Sequence, residues 1–459
     1  METTLKKSNE TLLIVVMLTL TLSSMSILLF NLVLPLIREE FQLTSSQVSW
    51  VTSSYTLLYG IGTAIYGKLA DRYKLKYLLT FGLVLFCLAS LLGFFSTSYW
   101  LLLVARCMQA IGAAAIPAAA TLIPIRYYPV EQRGKAMGTV FAGLALGSAL
   151  GPITSALVVS VLDWRWLFTI PMLLVLTLPF YLKLLGDEQT TQSKIDWFGG
   201  ALLALTVAQL LLTVTIHVGW LIGAVVSLVC FILRIRAAKH PFVQPMLFQN
   251  REYSFYLMLA FIVTGIGYSL FFTTPLFLAE VHALDASIIG LVMVPAAAVT
   301  ALLNRHGGKL ADKKGPTVLF FVASSLLFSC YFLLSTFIDS NVWFIACFLI
   351  LGYVGQSFMG IVMSRTVSLT LPDKQAGVGM GLLMMQNFIA GSIAIAVYSR
   401  IIDVEASRLW NPFSSSLAGF IYSNLFLGLA ILCAVVFVIY RYHLQKRSTR
   451  NIQEFEEGI

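Results

Sequence analysis

Apolar runs of close to twenty residues recur along this chain, separated by short polar turns in which Lys and Arg collect. A bilayer core leaves exposed peptide groups without hydrogen-bond partners, so each run is expected to be a spanning helix of about 20 residues. The spans read near 12–34, 48–66, 78–95, 99–123, 136–159, 166–182, 198–215, 219–234, 254–278, 287–303, 317–336, 342–363, 376–398 and 418–440. The expected fold class is therefore an all-α polytopic membrane protein with fourteen helices.

The basic residues test that count. With the N-terminus in the cytoplasm, nearly all of the 30 Lys and Arg fall in inside turns; Arg38, Arg165, Arg400 and Arg408 fall outside, and Arg106 lies within a span. Short cytoplasmic turns carry the excess of positive charge, and a miscount by one helix would move every later basic turn to the wrong side. Both termini are thus expected in the cytoplasm. The opening METTLKKSNE leads straight into an apolar run with no small-residue cleavage site, which reads as a first spanning helix rather than a signal peptide.

Composition agrees: 58% of residues are hydrophobic and 11% charged, against roughly a quarter charged in soluble domains. The net charge of +9 does not imply nucleic acid, because the cations sit in membrane turns rather than along one face. The lipid bilayer is the expected partner. The six cysteines lie in apolar segments and form no CxxC or Cys/His cluster, so no metal or other cofactor is expected. The five histidines are scattered without the converging carboxylates that membrane enzymes need. No Walker phosphate loop is present, which argues against direct ATP drive. An enzyme is not expected.

One charged phrase occurs twice, GKLADRYKLK from Gly67 and GKLADKKG from Gly308, in turns after the second and tenth spans. If two extra helices separate two bundles of six, these turns are equivalent, and the phrase marks a duplicated half. The expected organisation is a six-helix bundle over 1–183, a linker with two helices over 184–253, a second bundle over 254–441 and a cytoplasmic tail over 442–459 expected to fray. Gly67 and Gly308 are expected to admit close helix contact, while Asp71, Arg72, Asp312 and Lys313 supply charges for a breakable latch.

GKLADRYKLK, the helix 4 segment ARCMQAIGAA (105–114) and GLALGSALGP (143–152) together resemble the motifs of the major facilitator superfamily, in particular its fourteen-helix drug and proton antiporter branch, which contains the Gram-positive tetracycline exporters. The resemblance spans nearly the whole chain. It implies two six-helix bundles plus two additional helices, alternating access, and a monomer in a bacterial plasma membrane. This chain departs from the pattern at Lys74, where a glycine is common, and at Leu75, where a basic residue is usual. Ser148 stands where tetracycline exporters carry a carboxylate in helix 5, and Asn31 marks a first helix with no acid. Those two departures speak against a tetracycline–metal complex as cargo.

Arg106 cannot readily shed its proton, so burial demands partners, with Gln109 one turn on. The resemblance implies a role for Arg106 in proton coupling; the alternative is an anchor to backbone carbonyls. Glu280, at the outer end of helix 9, is either a proton-handling group or an exposed loop carboxylate. Gly143, Gly147 and Gly151, with Ser148 and Pro152, lay a smooth strip along helix 5 for a close neighbour, and the resemblance assigns that strip to antiport. Asn31, Tyr55, Tyr59, Tyr268, Gln356, Met363, Met384, Met385, Gln386 and Asn387 supply rings, amides and thioethers for a substrate cavity. The expected function is proton-coupled export of an amphipathic small molecule. An importer or facilitator of a physiological solute, or a receptor that moves nothing, are the alternatives.

Overall fold

The computed structural model describes residues 2–186, 196–404, 409–412 and 419–457. Its helices are α1 (Glu2–Leu29), α2 (Leu34–Glu40), α3 (Ser45–Arg72), α4 (Leu75–Phe94), α5 (Tyr99–Ala113), α6 (Ala115–Tyr127), α7 (Val130–Val159), α8 (Thr169–Met172), α9 (Leu178–Leu184), α10 (Trp197–Thr215), α11 (Trp220–Ala237), α12 (Arg251–Glu280), α13 (Ala286–Lys314), α14 (Pro316–Thr336), α15 (Val342–Leu369), α16 (Asp373–Ile402) and α17 (Phe420–Glu457). Among the described residues, thirteen helical stretches have the length and apolar character to cross a membrane. The remaining expected span, α3, has the length but is diluted by Ser and Thr. Those hydroxyls are returned to the helix itself: Ser49 donates to Ser46 O, Ser54 to Trp50 O, Thr56 to Thr52 O and Thr63 to Tyr59 O, at 2.6–2.9 Å. Each such bond relieves the cost of carrying a hydroxyl at this depth.

Both halves pack by one scheme. In the first, α1 lies on α7, α3 on α5, and α4 on α5 and on the broken sixth span; in the second, α12 lies on α16, α13 on α15, and α14 on α15 and α17. The halves meet where the second helix of each faces the fifth of the other, as α3 against α16 and α7 against α13. The two GKLAD turns close α3 and α13 at one end of the molecule; the opposite end carries Ser45 and Asp403.

Three expectations need correction. The first span stops at Leu29, and a turn leads into the short α2, which Pro35 opens at a position where a missing N–H costs nothing. The sixth span is a chain of 3-10 turns with α8 and α9, interrupted by Pro171 and Pro179. The polar tail does not fray at its start, since α17 continues to Glu457 through a stretch rich in helix-forming Lys, Arg, Gln and Glu.

The glycine strip works as a packing surface. A Cβ at Gly143 would overlap Met17 O, one at Gly147 would overlap the Ser24 hydroxyl and Thr21 O, and one at Gly151 would meet Leu28 Cβ at 3.1 Å. So α7 lies nearly backbone to backbone on α1. Helices α10 and α11 form a hairpin against the α3–α16 seam, where Leu57 and Ile61 meet Val207, Leu211, Phe231, Met385 and Ile389. At its base the buried Asp196 caps α10 through Gly199 N (3.0 Å) and accepts from Arg234 Nε (3.1 Å) and Phe242 N (3.3 Å). Burial opposes ionisation of Asp196, but the Gly199 amide, Arg234 and the Phe242 amide outweigh it and hold the carboxyl below its ordinary range.

Gly147→Ala should destabilise the purified protein by about 1–3 kcal/mol through overpacking, read as a lower thermal midpoint, with Gly151→Ala costing visibly less. Asp196→Ala should cost about 1 kcal/mol, little of it from the half-exposed Arg234. Hydrogen exchange would register it as faster opening of the first turn of α10 while α3 stays protected. A depressed folded-state pKa makes the Asp196 contribution complete above the free carboxylate range, near about 4, and lost as pH falls through the lower folded value.

Candidate functional site

The site is built around α3. Arg106, on α5, is fully buried. Its guanidinium carbon lies 4.3 Å from the centre of the Phe30 ring and 4.1 Å from that of the Tyr55 ring. Nε donates to Val51 O at 3.3 Å and Nη1 to Gln109 Oε1 at 3.0 Å. Gln109 Nε2 donates to Ser90 Oγ at 2.7 Å, and Ser90 Oγ to Phe86 O at 2.8 Å. The expected pairing of Arg106 with Gln109 is present. Among the described residues the ion pairs involve Arg38, Arg126, Arg165, Arg234 and His443, and none involves Arg106. Aromatic faces and neutral oxygens hold a cation in place of a carboxylate.

The remaining cavity residues distribute unevenly. Tyr55 stacks on Tyr59 at 5.9 Å, and Phe388 of the second half meets the Tyr59 edge at 4.8 Å. Tyr59 shares a 3.3 Å hydrogen bond with Ser23. Asn31 Oδ1 accepts from Thr52 at 3.0 Å. Tyr268 packs its ring on Gly391, and the Gln356 amide packs on Gly267. Gln386 Nε2 donates to Leu257 O (2.7 Å) and Asn387 Oδ1 accepts from Thr264 (3.2 Å). Met363 is buried, Met384 half-buried, and Met385 faces the α10–α11 hairpin. Ser148 returns its hydroxyl to Leu144 O at 2.8 Å, and Pro152 is buried within α7.

Glu280 is not beside Arg106. It pairs with Arg38 of the first half and accepts from the Tyr422 hydroxyl at 2.7 Å. Two further groups, neither foreseen, join the halves nearby. Asp403, after α16, accepts Ser45 N at 2.8 Å and Ser46 N at 2.7 Å. Ser392 donates to Ser53 O at 2.8 Å. With Thr44 taking Gln47 N at 3.1 Å, the first amides of α3 are satisfied, and a carboxylate stands at its positive end. The TSSQ sequence signals such a helix start; the sequence gives no sign that the cap comes from a residue over 350 positions away.

The GKLAD end differs. Asp71 meets Arg126 at 3.6 Å within the first half, Arg72 lies exposed with its guanidinium over Tyr73, and Lys313 is exposed. The side chain of Asp312 lies outside the described residues. The expected close contact at Gly67 and Gly308 is absent here: a Cβ at either would meet nothing within 4 Å. The register explains their position. Gly60 abuts Phe388, and two turns on, Gly67 comes level with Gly381; Gly290 abuts Ala156, and five turns on, Gly308 comes level with Gly138. Gly381 and Gly138 likewise have nothing within 4 Å. Each cross-half pair therefore touches toward the Asp403 end and parts toward the GKLAD end.

This duplicated two-bundle architecture is that of a membrane transporter rather than a catalytic enzyme. The chain belongs to the Major Facilitator Superfamily, whose family model matches residues 16–395. Among curated relatives, Multidrug resistance protein 3 of Bacillus subtilis is 28% identical over 68% of this chain and 64% of its own length, so the match spans under two thirds of that relative. Lincomycin resistance protein LmrB of Bacillus subtilis is 28% identical over 69% of this chain and 70% of its own length. The riboflavin transporter RibZ of Clostridioides difficile is 23% identical over 86% and 88%. A solved POT family transporter in complex with a peptide conjugate shares the fold with a TM-score of 0.69 at 15% identity, covering 95% of this chain and 96% of that one.

Asp403→Ala should loosen the joined end. In that background a Ser392→Cys thiol, buried in the parent, is expected to react with a membrane-impermeant maleimide about tenfold faster, as lost capping of about 1 kcal/mol or more implies; unchanged labelling would deny Asp403 this role.

Proposed function

We propose that the protein exports amphipathic small molecules by alternating access, exchanging them for protons. The GKLAD end is assigned to the cytoplasm, with both chain termini there, and the Asp403 end to the outside of a bacterial plasma membrane. The observation that carries this reading is the asymmetry of the seams, joined at one end and parted at paired open glycines on the other. Such an arrangement accepts cargo from the cytoplasmic side. Closure would bring Gly67 toward Gly381 and Gly308 toward Gly138 while the Asp403 contacts release. The residue divisions 1–183, 184–253, 254–441 and 442–459 follow from the same reading, as does a monomeric working unit.

Membership in the fourteen-helix drug and proton antiporter branch is supported by the hairpin between the halves and by the names of two relatives, a multidrug resistance and a lincomycin resistance protein. Arg106, Gln109 and Glu280 are assigned to coupling. Asp71, Arg72, Asp312 and Lys313 are assigned to the latch of the closed state, with the glycines beside them. The cavity is assigned to Asn31, Tyr55, Tyr59, Tyr268, Gln356, Met384, Gln386 and Asn387. Each proton entering supplies about 2.3 kcal/mol per 100 mV of membrane potential. A second reading, import of a physiological solute, is supported by the riboflavin transporter among the relatives and by an Arg106 that pairs with no described carboxylate.

Everted vesicles carrying the protein should accumulate an amphipathic dye when a proton gradient is imposed and stop when it is collapsed; accumulation indifferent to the gradient would favour the importer or facilitator. Arg106→Ala should insert normally and lose gradient-driven accumulation. Gly381→Leu, harmless in the conformation described, should obstruct closure and reduce transport about tenfold or more, as blocking by about 1.4 kcal/mol requires.

A further inference from the structure

The surroundings of Arg106 hold a buried positive charge and several buried polar groups without partners. Arg106 Nη2, Asn31 Nδ2, the Tyr55 hydroxyl and the Ser26 hydroxyl are all buried, and none has a hydrogen-bond partner. They belong to one neighbourhood. Phe30, next to Asn31, and Tyr55 both bring their rings within 4.3 Å of the guanidinium. Asn31 holds Thr52, whose neighbour Val51 receives Arg106 Nε. Ser26 lies four residues before Phe30. The two side-chain amide oxygens of the neighbourhood already accept, Asn31 Oδ1 from Thr52 and Gln109 Oε1 from Arg106 itself. Water could occupy the free donors but would leave the charge unneutralised. An anion answers both deficits.

We propose that Arg106, Asn31 and Tyr55 form a binding site for a monoanion, and that the group it receives is a carboxylate on the transported solute. This rests on the reading of the chain as a transporter. The charge of the ligand follows from the single guanidinium, with no second described Lys or Arg in the cluster. Its point of approach is Nη2, the guanidinium nitrogen that has no partner, with the unpartnered Asn31 amide as a second donor of the same neighbourhood. The two aromatic walls favour an apolar or aromatic body beside the carboxylate. Asn31 is decisive, because an acid at this position would supply the counter-charge internally and leave nothing for the cargo.

The test uses the full chain in lipid nanodiscs and two probes with one aromatic body, 1-pyrenebutyrate and its amide. The carboxylate should bind about tenfold or more tightly than the amide, the range of a charge-assisted hydrogen bond to a buried partner. That preference should vanish in Arg106→Gln. It should vanish also in Asn31→Asp, a change of nearly equal size that pairs the guanidinium internally and should raise the thermal midpoint of the ligand-free protein. Asn31→Asp therefore reports on the site even if Arg106→Gln fails to fold. Displacement of the preference by chloride, with gluconate as control, would support the monoanion site and assign its source to a free ion; persistence of the preference in chloride would assign it to the solute. Equal binding of acid and amide to the parent protein would overturn the site, as would a preference untouched by both substitutions. In proteoliposomes, gradient-driven flux of the amide alone would reject the anion site and keep the transporter; no flux of either probe or of a neutral dye would reject the transporter reading itself.

Discussion

The structure depends on two antiparallel contacts, α3 on α16 and α7 on α13, because these are where its halves meet most extensively helix to helix. Each joins the second helix of one half to the fifth of the other. Each begins in close packing, with Gly290 on Ala156 in one seam and Gly60 on Phe388 in the other. Polar groups reinforce the same end: Asp403 on the amides of α3, Ser392 on Ser53, and Glu280 on Arg38. Rigid helices that touch at one end and diverge at the other define a wedge. The space at Gly67, Gly138, Gly308 and Gly381 is its open side.

Helix α3 ties this seam to the buried charge. Its first amides rest on the other half, its Val51 carbonyl receives Arg106, its Tyr55 covers the guanidinium, and its Tyr59 meets Phe388 across the seam. A displacement of α3 against α16 must therefore alter what surrounds Arg106. From the other side Arg106 is held by Gln109, which is itself fixed by Ser90 and through it by the backbone of α4. One wall of the charge site is thus anchored within its half, while the opposite wall is a seam helix. That division gives a physical route by which the occupancy of the site and the position of the seam can influence each other.

Much of the fold was legible because membrane helices must satisfy their own backbone, which makes apolar length a direct report on span number. The spacing of GKLAD located the duplication, whose two halves repeat one scheme of helix pairing. The environment of Arg106 was half legible: Gln109 lies one turn away on the same helix, whereas Phe30, Val51 and Ser90 arrive from other helices whose facing no periodicity specified. Asp403 was illegible for a related reason, since a cap supplied across the molecule leaves no local spacing. Met385 illustrates the same limit, for the polar patch MMQNF contains residues directed both to the hairpin and to α12. Gly67 and Gly308 were expected to admit a close helix contact, and the described conformation makes none at either.

The repeated phrase also shows how equal sequences acquire unequal roles. Lys68 of the first copy donates to Pro241 O at 2.8 Å and lies 4.8 Å from the Phe242 ring, in the loop that Asp196 organises. Lys309, its counterpart, is exposed. The difference arises from the hairpin, because α10 and α11 pack on the α3–α16 seam, and among the described residues no equivalent pair packs on the α7–α13 seam. Movement of α3 at the GKLAD end must therefore carry or shear the Lys68–Pro241 contact and the apolar packing behind it, a load that α13 does not bear. The duplicated scaffold is symmetric in its helix pairing, yet its cover is not, since among the described residues the added helices pack on the α3–α16 seam.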